Sequence, residues 1–341
     1  MFGRRFSQIS PITDIRRRDV IRSVGGAALG FALAPAASFV HAAQTPNLSA
    51  VRLVLGEQAR GLQSLVEAAG VLNDIPYQVK WANFQGAAPL FEAQRAGAVD
   101  LAPAGDLPVL AAALGDPNLK IVATVVSSGA VLGILVPPSS PVHTVKDLKG
   151  KTVVVSSARG SISQYQLYGA LAEAGLSYHD VNVKFVLPID AAIAFQNGNI
   201  DVWATFDPYY GSAVAAGARV IRDGVGISSG LDFITASSQA VADPSKRAAI
   251  SDVLLRFRRA GQWAYDHPDD YARIYSTLTH LPFATARPIT ARSALRLHAV
   301  TDTDISVLQQ LADVSFSDAI LPRRIDVAPL CVTDLHLPTK V

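Results

Sequence analysis

One segment of this chain occurs twice. Residues 97–106 have the sequence GAVDLAPAGD and residues 198–207 have the sequence GNIDVWATFD, so a glycine and two aspartates recur at matching positions. Each copy follows an apolar run with helical character, and its glycine and apolar residues predict a helix end followed by a short buried strand. The strand leads into a loop that closes on an aspartate, Asp106 in the first copy and Asp207 in the second. A chain that builds this unit twice is expected to fold into two similar α/β lobes with a cleft between them.

The order of the predicted elements supports an α/β fold. Short apolar strands alternate with amphipathic helices on both sides of a proline-rich segment at residues 136–141, an order typical of largely parallel sheets flanked by helices. This segment predicts the first passage between the lobes, and a strand near residue 233 predicts the return. Residues 43–136 and 233–341 are therefore predicted to form the first lobe and residues 137–232 the second, with two hinge crossings that allow the cleft to close.

The N-terminal segment has the features of an export signal. A basic run from Arg16 to Arg22 precedes an uncharged stretch rich in Ala, Gly and Leu, and Val40-His41-Ala42 fits the small-x-small pattern before a cleavage point. The paired arginines suggest the twin-arginine route, with the Sec route as the alternative. A membrane anchor is less favoured, because the glycines and alanines make a poor bilayer span. We therefore expect residues 1–42 to be a cleaved signal peptide and the mature protein to be soluble in the periplasm.

The charge balance argues against a nucleic-acid partner. The whole chain has 30 Lys and Arg against 28 Asp and Glu, but six of the arginines and two of the aspartates lie in residues 1–42. The remainder then carries 24 basic and 26 acidic side chains, a net charge of −2 with histidine neutral, and no long basic run follows Arg22. Binding to nucleic acid is therefore not expected.

Motifs for catalysis or cofactor binding are absent from the sequence. The single cysteine, Cys331, excludes an internal disulfide and a cysteine-based zinc site. The seven histidines show no metal-binding spacing, and neither a phosphate-binding loop nor a GxSxG nucleophile elbow occurs. These absences predict a binding protein with no metal, no cofactor and no catalytic residues.

Hydrogen-bond donors cluster where a strand gives way to a helix in the predicted second lobe. Residues 156–164 have the sequence SSARGSISQ, and the helix that follows starts near Ser161. A helix start leaves unpaired N–H groups with partial positive charge, so an anion can bind there with help from Arg159. The alternative is that Ser161 or Ser163 only caps the helix.

Other positions could complete the same site. Ser127 and Ser128 end a predicted strand of the first lobe, where they either donate to the ligand across the cleft or form an ordinary loop. Gln58 follows the first predicted strand and is a neutral donor for a ligand oxygen. Trp203, in the second copy of the repeat, either forms a wall for an apolar part of the ligand or belongs to the core.

The paired aspartates of the repeat allow three interpretations. Asp106 precedes Leu107-Pro108 and Asp207 precedes Pro208, contexts typical of helix starts, so capping is the favoured role for both. A second interpretation is that one of them binds an ammonium or hydroxyl group of the ligand. A third is general acid or base catalysis, which would make the protein an enzyme on the same scaffold, with Asp106 as the best candidate.

A series of motifs lies in order along the chain. It includes FQGAAPLFEA at residues 84–93, VKDLKGKTVVV at residues 145–155, GNIDVWATFDPY at residues 198–209 and LPRRIDV at residues 321–327. Together these motifs resemble the alkanesulfonate-binding proteins of bacterial ABC importers, a group that has nitrate-, taurine- and thiamine-precursor-binding relatives. The resemblance extends from about residue 51 to residue 331. It implies a two-lobed, type II periplasmic binding fold that holds its ligand in the cleft and docks on a permease in the inner membrane.

By this resemblance the protein would be a monomeric solute-binding protein for a small organic anion, foremost an aliphatic sulfonate. A sulfonate has only acceptor oxygens, so neutral hydroxyls and N–H groups suit it. Nitrate, taurine or a thiamine or pyrimidine precursor is the alternative ligand, and a sensor subunit is an alternative role. The ligand-binding residues predicted in this way are Gln58, Gly105, Asp106, Ser127, Ser128, Arg159, Ser161, Ile162, Ser163, Gln164, Trp203 and Asp207.

Overall fold

A computed structural model of the protein describes residues 47–293 and 295–340. The predicted signal peptide at residues 1–42 lies outside the described residues. The strands are β1 (Arg52–Gln58), β2 (Gln78–Phe84), β3 (Leu101–Gly105), β4 (Leu119–Val126), β5 (Leu132–Val136), β6 (Thr152–Val155), β7 (Asn182–Phe185), β8 (Trp203–Phe206), β9 (Arg219–Asp223), β10 (Leu231–Ser237) and β11 (Arg296–His298). The helices are α1 (Gly61–Ala68), α2 (Ala87–Arg95), α3 (Asp106–Gly115), α4 (Ile162–Glu173), α5 (Pro188–Gln196), α6 (Tyr209–Ala215), α7 (Ser238–Ala242), α8 (Pro244–Asp266), α9 (Pro268–Thr279), α10 (Phe283–Arg292) and α11 (Asp302–Ser317).

The strands form two sheets with the same internal order. The six-stranded sheet runs β11-β4-β10-β3-β1-β2, and the five-stranded sheet runs β7-β6-β8-β5-β9. We call the six-stranded sheet and its helices the first lobe, and the five-stranded sheet with α4, α5 and α6 the second lobe. The repeated segments supply β3 and β8, which hold equivalent places in the two sheets. The prediction of two similar α/β lobes is therefore confirmed.

Each sheet is mixed, whereas the sequence analysis expected largely parallel sheets. β1 is parallel to β2 and β3, and β6 is parallel to β7 and β8. β10 and β5 are antiparallel to both of their neighbours. These two strands come directly from the other lobe, so they begin at the cleft, where β3, β4 and β8 end. The reversed direction of β5 and β10 therefore follows from the two crossings of the chain.

The crossings fall outside the proline-rich segment. The first crossing, residues 127–131, joins β4 to β5, and the second crossing, residues 224–230, joins β9 to β10. β5 therefore belongs to the second lobe, although the predicted boundary at residues 136 and 137 left it in the first. The prolines follow β5 because a proline cannot donate to a sheet and so ends the strand. That the two lobes move as separate domains stays a prediction.

The two crossings contact each other through their backbones. Gly224 N donates to Gly129 O at 3.1 Å, and Ser127 N donates to Gly230 O at 2.8 Å. A Cβ atom on Gly129 would overlap the carbonyl oxygen of Gly224, and one on Gly224 would lie 2.7 Å from the oxygen of Gly129. Any side chain at either position would push the crossings apart.

The interior explains why these segments form strands. Leu53 and Leu55 of β1 and Ile234 of β10 are buried against the long amphipathic helix α8. On the other face of the same sheet, Ala102 and Ala104 of β3 share a second cluster with buried residues of α3 and α11. The second lobe has its own apolar clusters on the two faces of its sheet. None of the helices in the described ranges is long and apolar enough to span a bilayer.

Candidate ligand-binding site

A cavity of about 440 Å³ lies between the two lobes. The first lobe lines it with the cleft ends of β1, β3, β4 and β10 and with the first residues of α1 and α2. The second lobe contributes residues 157–162 and the end of β8, and the end of α10 closes one side. Its size is within the range of about 300–1,000 Å³ that is typical of small-molecule sites.

The lobes approach each other closely around this cavity. A Cβ atom on Gly86, in the first lobe, would lie 3.0 Å from Ser157 Oγ, and one on Gly105 would overlap Ile162 Cγ2. From the second lobe, a Cβ atom on Gly160 would lie 2.8 Å from Ala111 Cβ. Glycine at these three positions allows the lobes to meet beside the cavity.

Two helices start at the cavity with free amide groups. Ser161 is the N-cap of α4 and accepts from Gln164 N at 3.3 Å, while Gly86 precedes α2 and has no side chain for capping. Within the described part of the chain, the amides of Ala87, Ala88, Ile162 and Ser163 donate to no other residue. Unpaired N–H groups at a helix start carry partial positive charge and favour an anion.

A third helix start is already occupied by a carboxylate. Glu57, at the end of β1, accepts from Gln58 N at 2.6 Å and from Gln63 N, in the first turn of α1, at 2.8 Å. Glu57 is 2% exposed, and this burial raises its pKa to about 7 against the lowering effect of the amides. Glu57 therefore occupies the start of α1, where an external anion could otherwise bind.

Asp207 and Arg292 form an ion pair at the edge of the cavity. Arg292 Nε lies 2.7 Å from Asp207 Oδ2, and Gly211 N donates to Asp207 Oδ1 at 3.0 Å. The Arg292 guanidinium lies over the ring of Tyr210 at 5.0 Å from its centroid. Burial raises the pKa of Asp207, and Arg292 opposes that rise. Asp207 therefore caps α6, as its sequence context suggested, and also binds a cation from the other lobe.

Asp106 and Asp232 are neighbouring acids, of which Asp232 lines the cavity and Asp106 lies beneath it. Asp106 accepts from its neighbour Leu107 N at 2.6 Å and from the hydroxyl of Ser229 in the second crossing. Burial raises the pKa of Asp106 to about 6. Asp232 lines the cavity, and burial together with the charge of Asp106 raises its pKa to about 7, while the Ser127 hydroxyl opposes that rise.

Seven of the residues predicted from sequence line the cavity. They are Gln58, Gly105, Ser127, Arg159, Ser161, Ile162 and Asp207. The Gln58 amide nitrogen already donates to Pro103 O at 2.8 Å, so only its oxygen is open to a ligand. Arg159 is exposed and makes no hydrogen bond or ion pair with the other described residues.

The other five predicted residues do not line the cavity. Asp106 lies beneath it, and Ser128 caps the turn that follows it by accepting from Ala130 N at 3.2 Å. Ser163 and Gln164 are fully buried in the first turn of α4. Trp203 is 1% exposed and donates to Ser156 Oγ at 2.9 Å, so it belongs to the core of the second lobe.

The sequence analysis missed two charged residues of the cavity, Asp232 and Arg292. Asp232 is the second residue of β10 and lies at the cleft only because that strand comes from the other lobe. Arg292 is the last residue of a C-terminal helix that carries no recognisable motif. The predicted return strand begins at the cleft, a position that points to Asp232, whereas no local pattern indicates Arg292. Within residues 47–293 and 295–340, no group of three or more metal-ligating side chains is arranged to hold a metal ion.

Comparisons with known proteins agree on one family. Residues 73–288 match the family described as ABC transporter, phosphonate, periplasmic substrate-binding protein. A protein of Escherichia coli (strain K12) that bears the name aliphatic sulfonates-binding protein is 30% identical over 263 residues, 73% of this chain and 78% of the relative. The alkanesulfonate-binding protein SsuA from Xanthomonas axonopodis pv. citri, solved bound to MOPS, is 27% identical with a TM-score of 0.77, covering 82% of this chain and 98% of SsuA.

The same fold also occurs in an enzyme. The desulfurization enzyme DSZB has a TM-score of 0.54 and 16% identity, covering 83% of this chain and 97% of the enzyme. At this identity the likeness concerns the fold alone. The family match and the similarity to binding proteins, together with two lobes around a cavity, show that the chain belongs to the periplasmic substrate-binding proteins of ABC transporters.

Proposed function

We propose that this protein captures an aliphatic sulfonate between its lobes and delivers it to an ABC importer in the inner membrane. The observation that carries the proposal is the set of donors on the cavity wall. The starts of α2 and α4 present free amides, and Ser127, Ser157 and Ser161 present hydroxyl groups. Arg159 adds one positive charge that no described residue neutralises.

A sulfonate matches these donors chemically. It is a permanent anion with three acceptor oxygens and no donor, so it can accept from amides, hydroxyls and a guanidinium at the same time. The donors of α4 belong to the second lobe and those of α2 to the first, so an anion that binds both favours the closed arrangement. The remaining wall is largely apolar, with Leu62, Phe91 and Phe206 among its side chains, and suits a hydrocarbon tail.

The relatives support this ligand class. One is named for aliphatic sulfonates, and another was solved with MOPS, which is a sulfonate with a bulky tail. The family description names phosphonate, which is also a tetrahedral anion but can carry a second negative charge and a proton. The cavity already holds the carboxylates of Glu57 and Asp232, so we propose that the singly charged sulfonate is preferred.

We further propose that the protein acts after export. In this proposal residues 1–42 are a signal peptide that is cleaved after Ala42, and the mature chain works in the periplasm as a monomer. Mass spectrometry of the N-terminus of periplasmic protein tests the cleavage, and light scattering tests the monomer. An intact residue 1 in the periplasmic fraction would contradict the proposed processing.

We propose that the protein does not catalyse a reaction on its ligand. The one cysteine of the chain, Cys331, does not line the cavity, and its thiol has a pKa raised to about 12 by burial. Asp106, the best candidate for a catalytic group under the enzyme alternative, lies beneath the cavity and accepts hydrogen bonds from Ser229 and Leu107. Incubation of the protein with a sulfonate, followed by mass spectrometry of the ligand, should return the ligand unchanged.

Binding itself is tested by calorimetry on the mature chain. Alkanesulfonates of increasing length are compared with alkylphosphonates, taurine, nitrate and a pyrimidine precursor at one ionic strength. We expect sulfonates with larger tails to bind most tightly and to raise the melting temperature most. A protein that ignores every sulfonate yet binds one of the other anions would contradict the proposed ligand.

A further inference from the structure

Asp232 differs from the other carboxylates on the cavity wall. Glu57 is held by backbone amides, Asp207 is paired with Arg292, and Glu92 is exposed and paired with Arg95 on the surface. The hydrogen bonds and ion pairs of the described residues include none to the Asp232 carboxylate, and the Ser127 hydroxyl is the one nearby group that lowers its pKa. A carboxylate can accept about four hydrogen bonds, so Asp232 keeps acceptor capacity toward the cavity.

The sheet places Asp232 at the cleft edge of the first lobe. It is the second residue of β10 and pairs with Gly105 on one side and Val125 on the other, and both of those residues also line the cavity. A Cβ atom on Gly105 would lie 3.4 Å from Asp232 Oδ1 and would overlap Ile162 Cγ2. The carboxylate therefore lies close to the residue that begins α4, but on the opposite side of the gap between the lobes.

The cavity presents both hydrogen-bond donors and one carboxylate that neither a cation nor a backbone amide of the described residues holds. The donors come from both lobes and include the amides of α2 and α4, the hydroxyls of Ser157 and Ser161, and the positive charge of Arg159. The Asp232 carboxylate lies in a wall of the first lobe that includes Phe233 and Ile234. A ligand that carries an anion and a separate hydrogen-bond donor would match both kinds of group.

We propose that Asp232 binds a cationic amino group on the tail of the ligand, so that the preferred solute is a zwitterionic sulfonate with a bulky amine. This inference rests on the proposed function, because it assumes that a sulfonate occupies the donor end of the cavity. An ammonium group beside Asp232 would offset the free-energy cost of burying its charged carboxylate. It would also offset the repulsion between that carboxylate and Asp106. Burial and the charge of Asp106 raise the pKa of Asp232, because no cation of the described residues lies beside it in the absence of ligand. The size of the cavity suits a ring on the amine better than a two-carbon aminosulfonate.

The test uses two ligands of the same shape. In 3-(piperidin-1-yl)propanesulfonate the ring carries a protonated nitrogen, and in 3-cyclohexylpropanesulfonate a carbon takes its place. Titration calorimetry on the mature wild-type chain at pH 7.5 compares their dissociation constants. We expect the piperidine compound to bind about tenfold more tightly or better, as for a hydrogen bond between charged groups. This comparison needs no mutation, so a folding defect cannot obscure it.

Two variants locate the origin of the preference. Asp232→Asn is expected to bring the ratio of the two dissociation constants close to one. The control, Asp201→Asn, removes a carboxylate from an exposed position away from the cavity and should keep the wild-type ratio. Thermal unfolding of both variants checks that they are folded.

The outcomes separate this inference from the proposed function. Equal binding of both compounds by the wild-type chain, or tighter binding of the cyclohexyl compound, overturns the role of Asp232 and leaves sulfonate binding intact. Binding of neither compound overturns the proposed function, and this inference with it. If Asp232→Asn still prefers the piperidine compound, another group binds the amine, and the inference is overturned.

Discussion

Arg292 and Asp207 form a two-point ion pair that joins the lobes at the edge of the cavity. Arg292 Nε lies 2.7 Å from Asp207 Oδ2, and Arg292 Nη2 lies 2.9 Å from Asp207 Oδ1. Asp207 follows β8 in the second lobe, whereas α10 is packed on the core of the first lobe through Ala286 and Ile289. The pair therefore stabilises the arrangement in which the lobes are close together.

Arg292→Lys is expected to weaken ligand binding about three- to tenfold, because lysine cannot keep two parallel bonds to one carboxylate. Asp207→Asn should have a similar effect, and the double variant should be little worse than either single one. Calorimetry with one sulfonate gives the three affinities. If Asp207→Asn left the affinity intact while Arg292→Lys reduced it, Arg292 would act on the ligand directly and not through Asp207. Arg273→Lys, in an exposed surface pair, is the control.

Gly105→Val is expected to prevent full approach of the lobes. Gly105 has φ −62° and ψ 165°, which any residue adopts, so the atom that an added Cβ would overlap is Ile162 Cγ2 across the gap. We expect a loss of affinity of more than about tenfold with a nearly unchanged unfolding transition. Gly115→Ala is the control, because its nearest neighbour would be 4.0 Å from the added carbon. Wild-type affinity in Gly105→Val would show that binding does not need this contact.

Arg159→Gln is expected to weaken sulfonate binding about threefold to tenfold and to reduce its dependence on salt concentration. Arg159 is exposed, so its contribution is screened by ions in solution. Calorimetry at low and high salt, with Arg52→Gln as an exposed control away from the cavity, measures both effects. If the affinities of the wild type and of Arg159→Gln depended equally on salt concentration, Arg159 would not contact the ligand.

The free energy of unfolding in the absence of ligand should fall as the pH rises from about 4 to about 7. Burial raises the pKa of Glu57 and Asp232 to about 7 and that of Asp106 to about 6, so the folded chain binds more protons than the unfolded chain between about pH 4 and pH 7. The contribution of these groups to the free energy of unfolding is therefore largest at low pH, where they are protonated. It is lost as each group ionises in the folded chain. Denaturant unfolding at pH 5, 6, 7 and 8 measures the slope.

The variant Asp232→Asn isolates one of these groups. An amide has the shape of the neutral acid but does not ionise, so the variant should match the wild type at pH 5 and exceed it by roughly 1–3 kcal/mol at pH 8. The charge of Asp106 raises the pKa of Asp232, and the hydroxyl of Ser127 lowers it. A stability difference that does not change with pH would show that Asp232 is already ionised at pH 5.

The repeat was the strongest predictor of the fold, since it indicated two equivalent strands and their cleft loops. It did not indicate strand direction, because β5 and β10 have the same apolar composition as parallel strands. Their direction is set by where the chain crosses, and the conspicuous prolines at residues 136–141 drew the predicted crossing to the wrong side of β5. Periodicity describes which residues are buried, and it carries no information on the direction of a buried strand.

The helix start at Ser161 was visible in the sequence because its serines, glycine and arginine are neighbours along the chain. Arg292 and Asp232 were not, because each reaches the cavity through contacts with residues distant in sequence, namely Asp207 and Gly105. The opposite error was made for Trp203. It was predicted to bind the ligand because it lies beside a predicted loop, but it is a core residue whose indole donates to Ser156. Local chemistry identifies donors, whereas tertiary packing decides which of them face a ligand.

The contact between Gly129 and Gly224 has a mechanical consequence. The two connections between the lobes lie side by side and share main-chain bonds, so we expect any movement of the lobes to turn about one common pivot and not about two independent joints. Rotation about that pivot is compatible with the contact, whereas sliding or twisting of one half against the other would break it. We therefore predict that lengthening one connection alone would separate both and would remove this constraint on how the lobes approach each other.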